Sequence, residues 1–251
     1  HIISDNRSVG IFIEKLSKIY NKLCSNEFID LKPEPVQYAD FSIYQNESIS
    51  GGYYKSELKY WVDTLAGVEP VLQLPVDYAR SKHQTYNGNE YYFELDTSLS
   101  SKIINYCKEN NISNFMFLLS CYAVLISKYS GKKDFIIGIP IANRNKEKFN
   151  DVIGMMINNL PIRITIKDDY TFNNIIASVK KSLIEAYDNQ NLPFEILADS
   201  MNLNRDASHS LLIQTMFNSL TEYRDKLFLK DARVELFEFK KKKSHLDLTM
   251  M

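Results

Sequence analysis

The sequence predicts a mixed fold, α/β or α+β, in which amphipathic helices and short core strands are interspersed. Apolar residues recur at three- and four-residue spacing over residues 9–23 and again over residues 171–189, which is the mark of amphipathic helices. Short apolar or alternating runs at residues 135–139 and 160–166 have the length and composition of strands. Because helical and strand patterns are mixed along the whole chain, neither an all-α nor an all-β architecture fits.

Helix start and stop signals place the remaining helices. Residues 53–65 have a helical pattern closed by Gly67, and residues 98–110 form a second predicted helix. Residues 113–130 form a third, which begins with a serine cap and is apolar on nearly all sides, so we expect it to be buried. Further strands are predicted at residues 90–95, 213–220 and 234–239.

Composition and charge exclude several classes of function. Thirty basic residues against 31 acidic residues give a net charge of -1, which does not favour nucleic-acid binding. The apolar runs are interrupted within a few residues, so no membrane segment is predicted. One basic run, residues 240–243, is either a solvated turn or a contact for an acidic partner.

The cysteines bear on the cellular compartment. Cys24, Cys107 and Cys121 are odd in number, sit at helical spacing among apolar residues, and lack metal-ligand spacing. We therefore expect buried free thiols and a cytoplasmic protein. Because the sequence starts at His1 rather than Met, we also expect a fragment or a processed chain.

The first residues carry two groups capable of acid–base chemistry. His1 and Asp5 come just before the helix predicted at residues 9–23. A neutral imidazole is able to take a proton from an amine that attacks an acyl group, and a carboxylate four residues later would then fix local geometry. Taken alone, the pair is a weak signal, because a terminal histidine is more often incidental than catalytic and Asp5 is also suited to cap the helix.

Six downstream segments decide between these interpretations. Residues 38–45 (YADFSIYQ) resemble the YxDYxxWQ stretch of the condensation domains of nonribosomal peptide synthetases. Each segment is a modest pattern, but all six occur in that family's order and spacing, so the resemblance extends from residue 1 to about residue 250. Four others resemble the family motif given in parentheses: residues 138–144 (GxPxAxR), 153–163 (IGxFVNTxxxR), 189–195 (HQDxPFE) and 205–209 (RDxSR). The sixth segment, residues 214–217 with the sequence QTMF, matches the strand that follows the last of these motifs.

The resemblance implies the chloramphenicol-acetyltransferase-like fold, with two lobes and a substrate tunnel between them. Residues 1–47 would end the N-terminal lobe and hold the remnant of the HHxxxDG motif, with His1 as its second histidine. Residues 48–251 would form the C-terminal lobe, incomplete at its end. We expect such a fragment by itself to be inactive.

The resemblance also implies the reaction. A donor acyl group arrives on the phosphopantetheine arm of an upstream carrier protein, and the amine of an aminoacyl thioester on a downstream carrier attacks it. His1 either accepts the amine proton or positions the amine, and proximity supplies much of the acceleration. No cofactor is expected to bind directly, and an adenylation domain is the expected neighbour.

Further site residues follow from the same motifs. Asp5 is expected to be structural and to pair with Arg144, since arginine suits a buried carboxylate; the alternative is a surface arginine. Asn158 is expected to line the tunnel, whereas Arg163 either lines it or faces solvent. Asn6 replaces the motif glycine, and asparagine tolerates a left-handed backbone there.

Departures from the motifs leave alternatives open. The HQD positions hold Asn189, Gln190 and Asn191, and the usual proline after RDxSR is missing. The alternatives are a related epimerase or ester-forming domain, or a catalytically degenerate module that recruits a partner protein.

Overall fold

The computed structural model describes residues 2–30, 33–203, 207–220, 227–235 and 242–251. Four predictions concern residues outside these ranges: the catalytic assignment of His1, the RD pair at residues 205–206, most of the last predicted strand (236–239), and Lys240 and Lys241 of the basic run.

The predicted mixed fold is confirmed. The described residues contain seven α-helices and four strands, with one short 3-10 turn at Glu147–Phe149. The helices are α1 (Asn6–Cys24), α2 (Tyr38–Ser50), α3 (Lys55–Leu65), α4 (Thr97–Glu109), α5 (Asn114–Ser130), α6 (Phe172–Asp188) and α7 (Phe194–Ser200). The strands are β1 (Asp134–Ile141), β2 (Asn158–Thr165), β3 (Thr215–Phe217) and β4 (Leu248–Met250).

The backbone divides into two compact units. Unit 1 consists of His1–Lys55, Ile141–Asn158 and Leu220–Phe239. Unit 2 consists of Ser56–Pro140, Asn159–Ser219 and Lys240–Met251. The lobe boundary near residue 47 stays a prediction.

Unit 2 is built on a four-stranded sheet of order β2-β1-β3-β4. β3 runs parallel to both of its neighbours. Met216 of β3 lies opposite Gly138 of β1 on one side and opposite Thr249 of β4 on the other. The strands predicted at residues 135–139 and 160–166 are present as β1 and β2, whereas the run at 213–220 forms only three strand residues. β4 is equally short and was not predicted from the sequence.

The predicted strand at residues 90–95 is wrong. The structure has no strand there, and the Tyr91 side chain is 88% exposed. Alternation predicts which way side chains point, but a strand also needs a hydrogen-bonding neighbour. No described strand pairs with this segment.

The helix α5 begins and ends as predicted. Ser113 Oγ accepts from the Met116 amide at 3.1 Å, and Gly131 ends the helix in the left-handed conformation. Its burial is less complete than predicted, because Leu125 and Tyr129 are exposed. Within the described residues no single helix is long and apolar enough to cross a membrane; only the sharply bent pair of α4 and α5 passes that test jointly.

The burial predicted for the cysteines is only partly right. Cys107 is buried on α4, but Cys24 and Cys121 are exposed, and all three are free thiols. Cys24 is the last residue of α1. Helical spacing among apolar residues therefore did not guarantee a buried position.

The helix α1 buries an unexpected face. The buried side of α1 consists of small and polar residues around Ser8, Gly10 and Ser17, together with Ile11. The larger apolar residues at helical spacing are exposed on its other side: Val9, Phe12, Leu16 and Leu23.

Candidate functional site

Asp5 is the centre of a buried polar cluster at the start of α1. Its side chain caps the helix and is only 1% exposed. Oδ1 accepts from the Ser8 amide at 2.8 Å, from Ser8 Oγ at 2.8 Å and from Arg144 Nη2 at 3.0 Å. Oδ2 accepts from Arg144 Nη1 at 2.8 Å and from the Met156 amide at 3.1 Å. The carboxylate therefore accepts five hydrogen bonds from described residues, which fills its capacity.

Arg144 is the predicted partner of Asp5, and the predicted contact is present. The arginine follows β1, and the left-handed residue Asn143 turns the chain just before it. Its guanidinium meets both oxygens of Asp5, with a side chain that is 5% exposed. It also donates to the carbonyl oxygens of Ala142 and Val152, each at 3.2 Å. A buried, two-pronged ion pair of this kind fixes geometry on both sides.

Ser8 is a third member of the cluster and is buried on the first turns of α1. Its hydroxyl accepts from the Gly154 amide at 3.0 Å and from Arg144 Nη2 at 3.1 Å. Its single proton is shared between Asp5 Oδ1 and the Gly154 carbonyl, at 2.8 and 3.0 Å. Its three-residue spacing after Asp5 was the available signal, but the contact with Gly154 spans 146 residues of sequence.

The motifs at residues 38–45 and 153–159 interlock beside this cluster. Tyr38 donates from its hydroxyl to the Met155 carbonyl at 2.8 Å. A Cβ atom on Gly154 would lie 2.1 Å from Tyr38 Cδ2, so only glycine fits beneath the ring. Tyr38 also belongs to an aromatic group with Phe41 and Phe149. The loop that supplies the Met156 amide to Asp5 is therefore held from both sides.

The electrostatics keep Asp5 ionised. Burial raises the pKa of Asp5, but the hydrogen bonds from Arg144, Ser8 and the Met156 amide outweigh it, so its pKa is lowered overall. An ionised carboxylate without a spare acceptor position is unsuited to take a proton. The arrangement supports the prediction that Asp5 is structural.

Asn6 does not need the left-handed backbone that was expected of it. It is the first residue of α1, and it is absent from the non-glycine residues with positive φ. The expectation based on left-handed tolerance is therefore wrong: a residue in right-handed helical conformation has no special need of glycine. Its side chain is exposed.

Asn158 and Arg163 lie along β2, with different surroundings. Asn158 is buried at the first position of the strand. Arg163 pairs with Asp134 through two hydrogen bonds, at 2.8 and 2.6 Å, and donates to the Thr64 carbonyl at 2.8 Å. Arg163 thus ties β2 to β1 and to the end of α3 within unit 2. A tunnel role for either residue stays a prediction.

The altered HQD positions are held by α3. Glu57 accepts from the amides of Asn191 and Leu192 at 2.9 and 2.8 Å, and Trp61 donates to the Asn189 carbonyl at 2.8 Å. Most of these contacts use backbone groups of the turn, so they tolerate the side-chain changes there.

Among the described residues, no cluster of histidine, cysteine or acidic side chains is suited to hold a metal.

Solved structures share this fold. A chain in the complex of the X-domain and OxyB from teicoplanin biosynthesis matches with a TM-score of 0.84 over 99% of this chain and 55% of its own, at 20% identity. The condensation domain of the Monacolin K polyketide synthase MokA matches with a TM-score of 0.72 over 86% of this chain and 51% of its own, at 21% identity. These likenesses give the chain the predicted chloramphenicol-acetyltransferase-like fold.

Sequence similarity then defines the family. A family model described as Condensation domain matches residues 1–251. A linear gramicidin synthase of Brevibacillus parabrevis is 37% identical over 217 residues, which are 86% of this chain and 4% of that protein. Surfactin synthase subunit 1 of Bacillus subtilis (strain 168) is 34% identical over 250 residues, 100% of this chain and 7% of that protein. The chain belongs to the condensation domain family of nonribosomal peptide synthetases.

Condensation domains of these synthetases are amide-bond-forming acyltransferases. The chain spans less than a tenth of the two synthetases above and about half of the two solved structures named with them.

Proposed function

We propose that this chain is part of a domain that joins a donor acyl or peptidyl thioester to an acceptor aminoacyl thioester through an amide bond. The observation that supports this most strongly is the buried Asp5–Arg144 ion pair, which anchors the chain four residues after His1. Asp5 is the positioning residue, because its oxygens are fully engaged. His1, four residues before this anchor in the sequence, is the proposed group that either accepts the proton of the reacting amine or positions that amine.

The reaction needs little covalent chemistry from the protein. The acceptor amine attacks the donor thioester carbonyl, a C–N bond forms, the C–S bond breaks, and the donor carrier's thiol leaves. His1 either accepts the amine proton or holds the amine in line. Because both substrates are tethered and the thioester is already activated, orientation accounts for much of the rate.

The implied partners are an upstream and a downstream carrier protein, each with a phosphopantetheine arm, and an adjacent adenylation domain. A four-domain nonribosomal peptide synthetase bound to AMP and glycine supports this setting, with 26% identity and a TM-score of 0.75 over 86% of this chain. The three free thiols fit a cytoplasmic location.

The test is amide formation by the full-length protein, loaded with an acyl carrier and an aminoacyl carrier. His1→Ala is expected to lower the rate of dipeptidyl product by about 100-fold or more, the usual scale for a general base. Lys18→Ala, an exposed change on α1, serves as the control and keeps the wild-type rate. Equal product from wild type and His1→Ala would refute the assignment of His1 and would favour the alternative of a non-catalytic, partner-recruiting module.

A further inference from the structure

Residues 227–235 lie against α1 through two polar side chains of that helix. Asn21 donates from Nδ2 to the Phe228 carbonyl at 2.7 Å, and its Oδ1 accepts from the Lys230 amide at 2.7 Å. Ser17 Oγ accepts from the Phe228 amide at 3.2 Å. The Asn21 side chain therefore pairs with the backbone of this segment at two points, much as a neighbouring strand would.

Both anchors are residues that a helix interior does not favour. Asparagine and serine compete with the helical backbone for hydrogen bonds and are weak helix formers. Ser17 is nevertheless only 7% exposed, on the buried side of α1. Buried polar groups are normally hydrogen-bonded, and the backbone of residues 227–235 supplies partners here. The polar character of this face of α1 is therefore suited to a backbone ligand.

No residue of this segment is fully buried. Leu227 and Leu229 are half-buried, Phe228 is 67% exposed, and residues 230–235 are all exposed. A turn closes the segment internally, with the Ala232 amide donating to the Leu229 carbonyl at 3.2 Å and Asp231 in the left-handed conformation. A segment with its own turn and without a fully buried residue is of the kind that opens locally, without global unfolding.

We propose that residues 227–235 form a strap, that Asn21 is its clasp, and that the strap leaves α1 as one unit while α1 stays folded. Detachment uncovers the polar face of α1 around Ser17 and Asn21. The first turn of the same helix, which holds the Asp5 cluster, has its own anchors at Arg144 and Met156 and is unaffected. The strap does not depend on the proposed reaction.

The test is hydrogen–deuterium exchange of the full-length protein, followed in peptides that cover residues 227–235. Asn21→Ala removes both hydrogen bonds and is expected to speed exchange of the strap by about 10-fold or more. Asn21→Asp keeps an acceptor for the Lys230 amide but does not donate to the Phe228 carbonyl, so a smaller increase is expected. Ser17→Ala also speeds exchange, and the neighbouring exposed change Lys18→Ala leaves it at the wild-type rate.

The exchange rates of peptides from α1 and from residues 153–158 show whether the strap opens separately from the helix. The proposal requires that their exchange stays at the wild-type rate in the Asn21 variants. Unchanged exchange of the strap in Asn21→Ala would overturn the role of Asn21 as the clasp. Joint acceleration of the strap and α1 would overturn the strap as a separate unit. If Asn21→Ala fails to fold, Asn21→Asp and Ser17→Ala carry the same comparison.

Discussion

At the scale of single residues, the Asp5 carboxylate connects the most distant parts of the candidate site. It caps α1 at the Ser8 amide and joins that helix to the Met156 amide and to Arg144, all within unit 1. Breaking a buried ion pair on one side leaves an uncompensated charge and typically costs about 3–5 kcal/mol. The contacts of Asp5 therefore contribute both to the stability of unit 1 and to the positioning of the candidate site. The titration of Asp5 gives a way to measure the contribution to stability.

Acid is expected to destabilise unit 1 through Asp5. The folded-state pKa of Asp5 is lowered, so its contribution is present above the unfolded value of about 3.9 and is lost as the pH falls through the folded pKa. The free energy of unfolding, measured by urea titration between about pH 5 and pH 2, should fall with a steeper slope in wild type than in Asp5→Asn. Parallel slopes for the two proteins would contradict the lowered pKa.

At the scale of elements, much of the fold was predictable from local signals. The helices α5 and α6 begin at serine and threonine caps, and α6 also has clear helical periodicity; both were predicted almost to the residue. The helix α2 was missed because its apolar residues lack a clear helical period and its start depends on a capping box between Gln37 and Asp40. The segment at residues 90–95 failed for the opposite reason, since its pattern was clear but its partner was absent.

The contacts of the candidate site were likewise predictable from the sequence only in part. Motif order placed Asp5 and Arg144 together across 139 residues of sequence, which local reasoning does not achieve. The contact of Ser8 with Gly154 and the contacts of Glu57 with Asn191 and Leu192 were not recognised, because these contacts use backbone groups far along the chain. Backbone donors leave no residue-specific signal in a single sequence.

The contact between α2 and residues 153–156 gives a prediction for a pair of residues. Gly154→Ala places a methyl group against the Tyr38 ring and is expected to lower the free energy of unfolding by about 1–3 kcal/mol, the usual cost of overpacking. In a Tyr38→Ala background most of this extra cost should disappear, as a double-mutant cycle in urea would record. Tyr38→Phe keeps the ring and should keep the cost. Additive effects of Gly154→Ala and Tyr38→Ala would argue against direct contact.

At the scale of the whole molecule, the exposed apolar side of α1 has consequences for association. Phe12 is 58% exposed, in line with Leu16 and Leu23. Exposed apolar patches favour contacts with other molecules. We expect the 251-residue chain to self-associate as its concentration rises, and Phe12→Lys to weaken this in light scattering. Ser101→Lys, an exposed change on α4, adds the same charge and should have little effect. Equal self-association of the wild type, Phe12→Lys and Ser101→Lys would show that the exposed side of α1 is not the contact surface.

The arrangement of the chain also supplies a matched pair of arginines. Arg144 and Arg163 each meet an aspartate with two hydrogen bonds, but only Arg144 meets the carboxylate that follows His1 by four residues. Lysine keeps the charge of either arginine and loses the two-pronged geometry. The two substitutions therefore separate positioning of the candidate site from general stability.

The most direct measurement is the single-turnover rate of amide formation by the full-length protein carrying Arg144→Lys or Arg163→Lys, at a temperature where both remain folded. We predict a rate at least about 10-fold lower for Arg144→Lys, since small misplacement of a positioned group has large effects on rate. Arg163→Lys should react at nearly the wild-type rate. Equal rates for the two variants would contradict the claim that the Asp5–Arg144 pair positions the reacting groups.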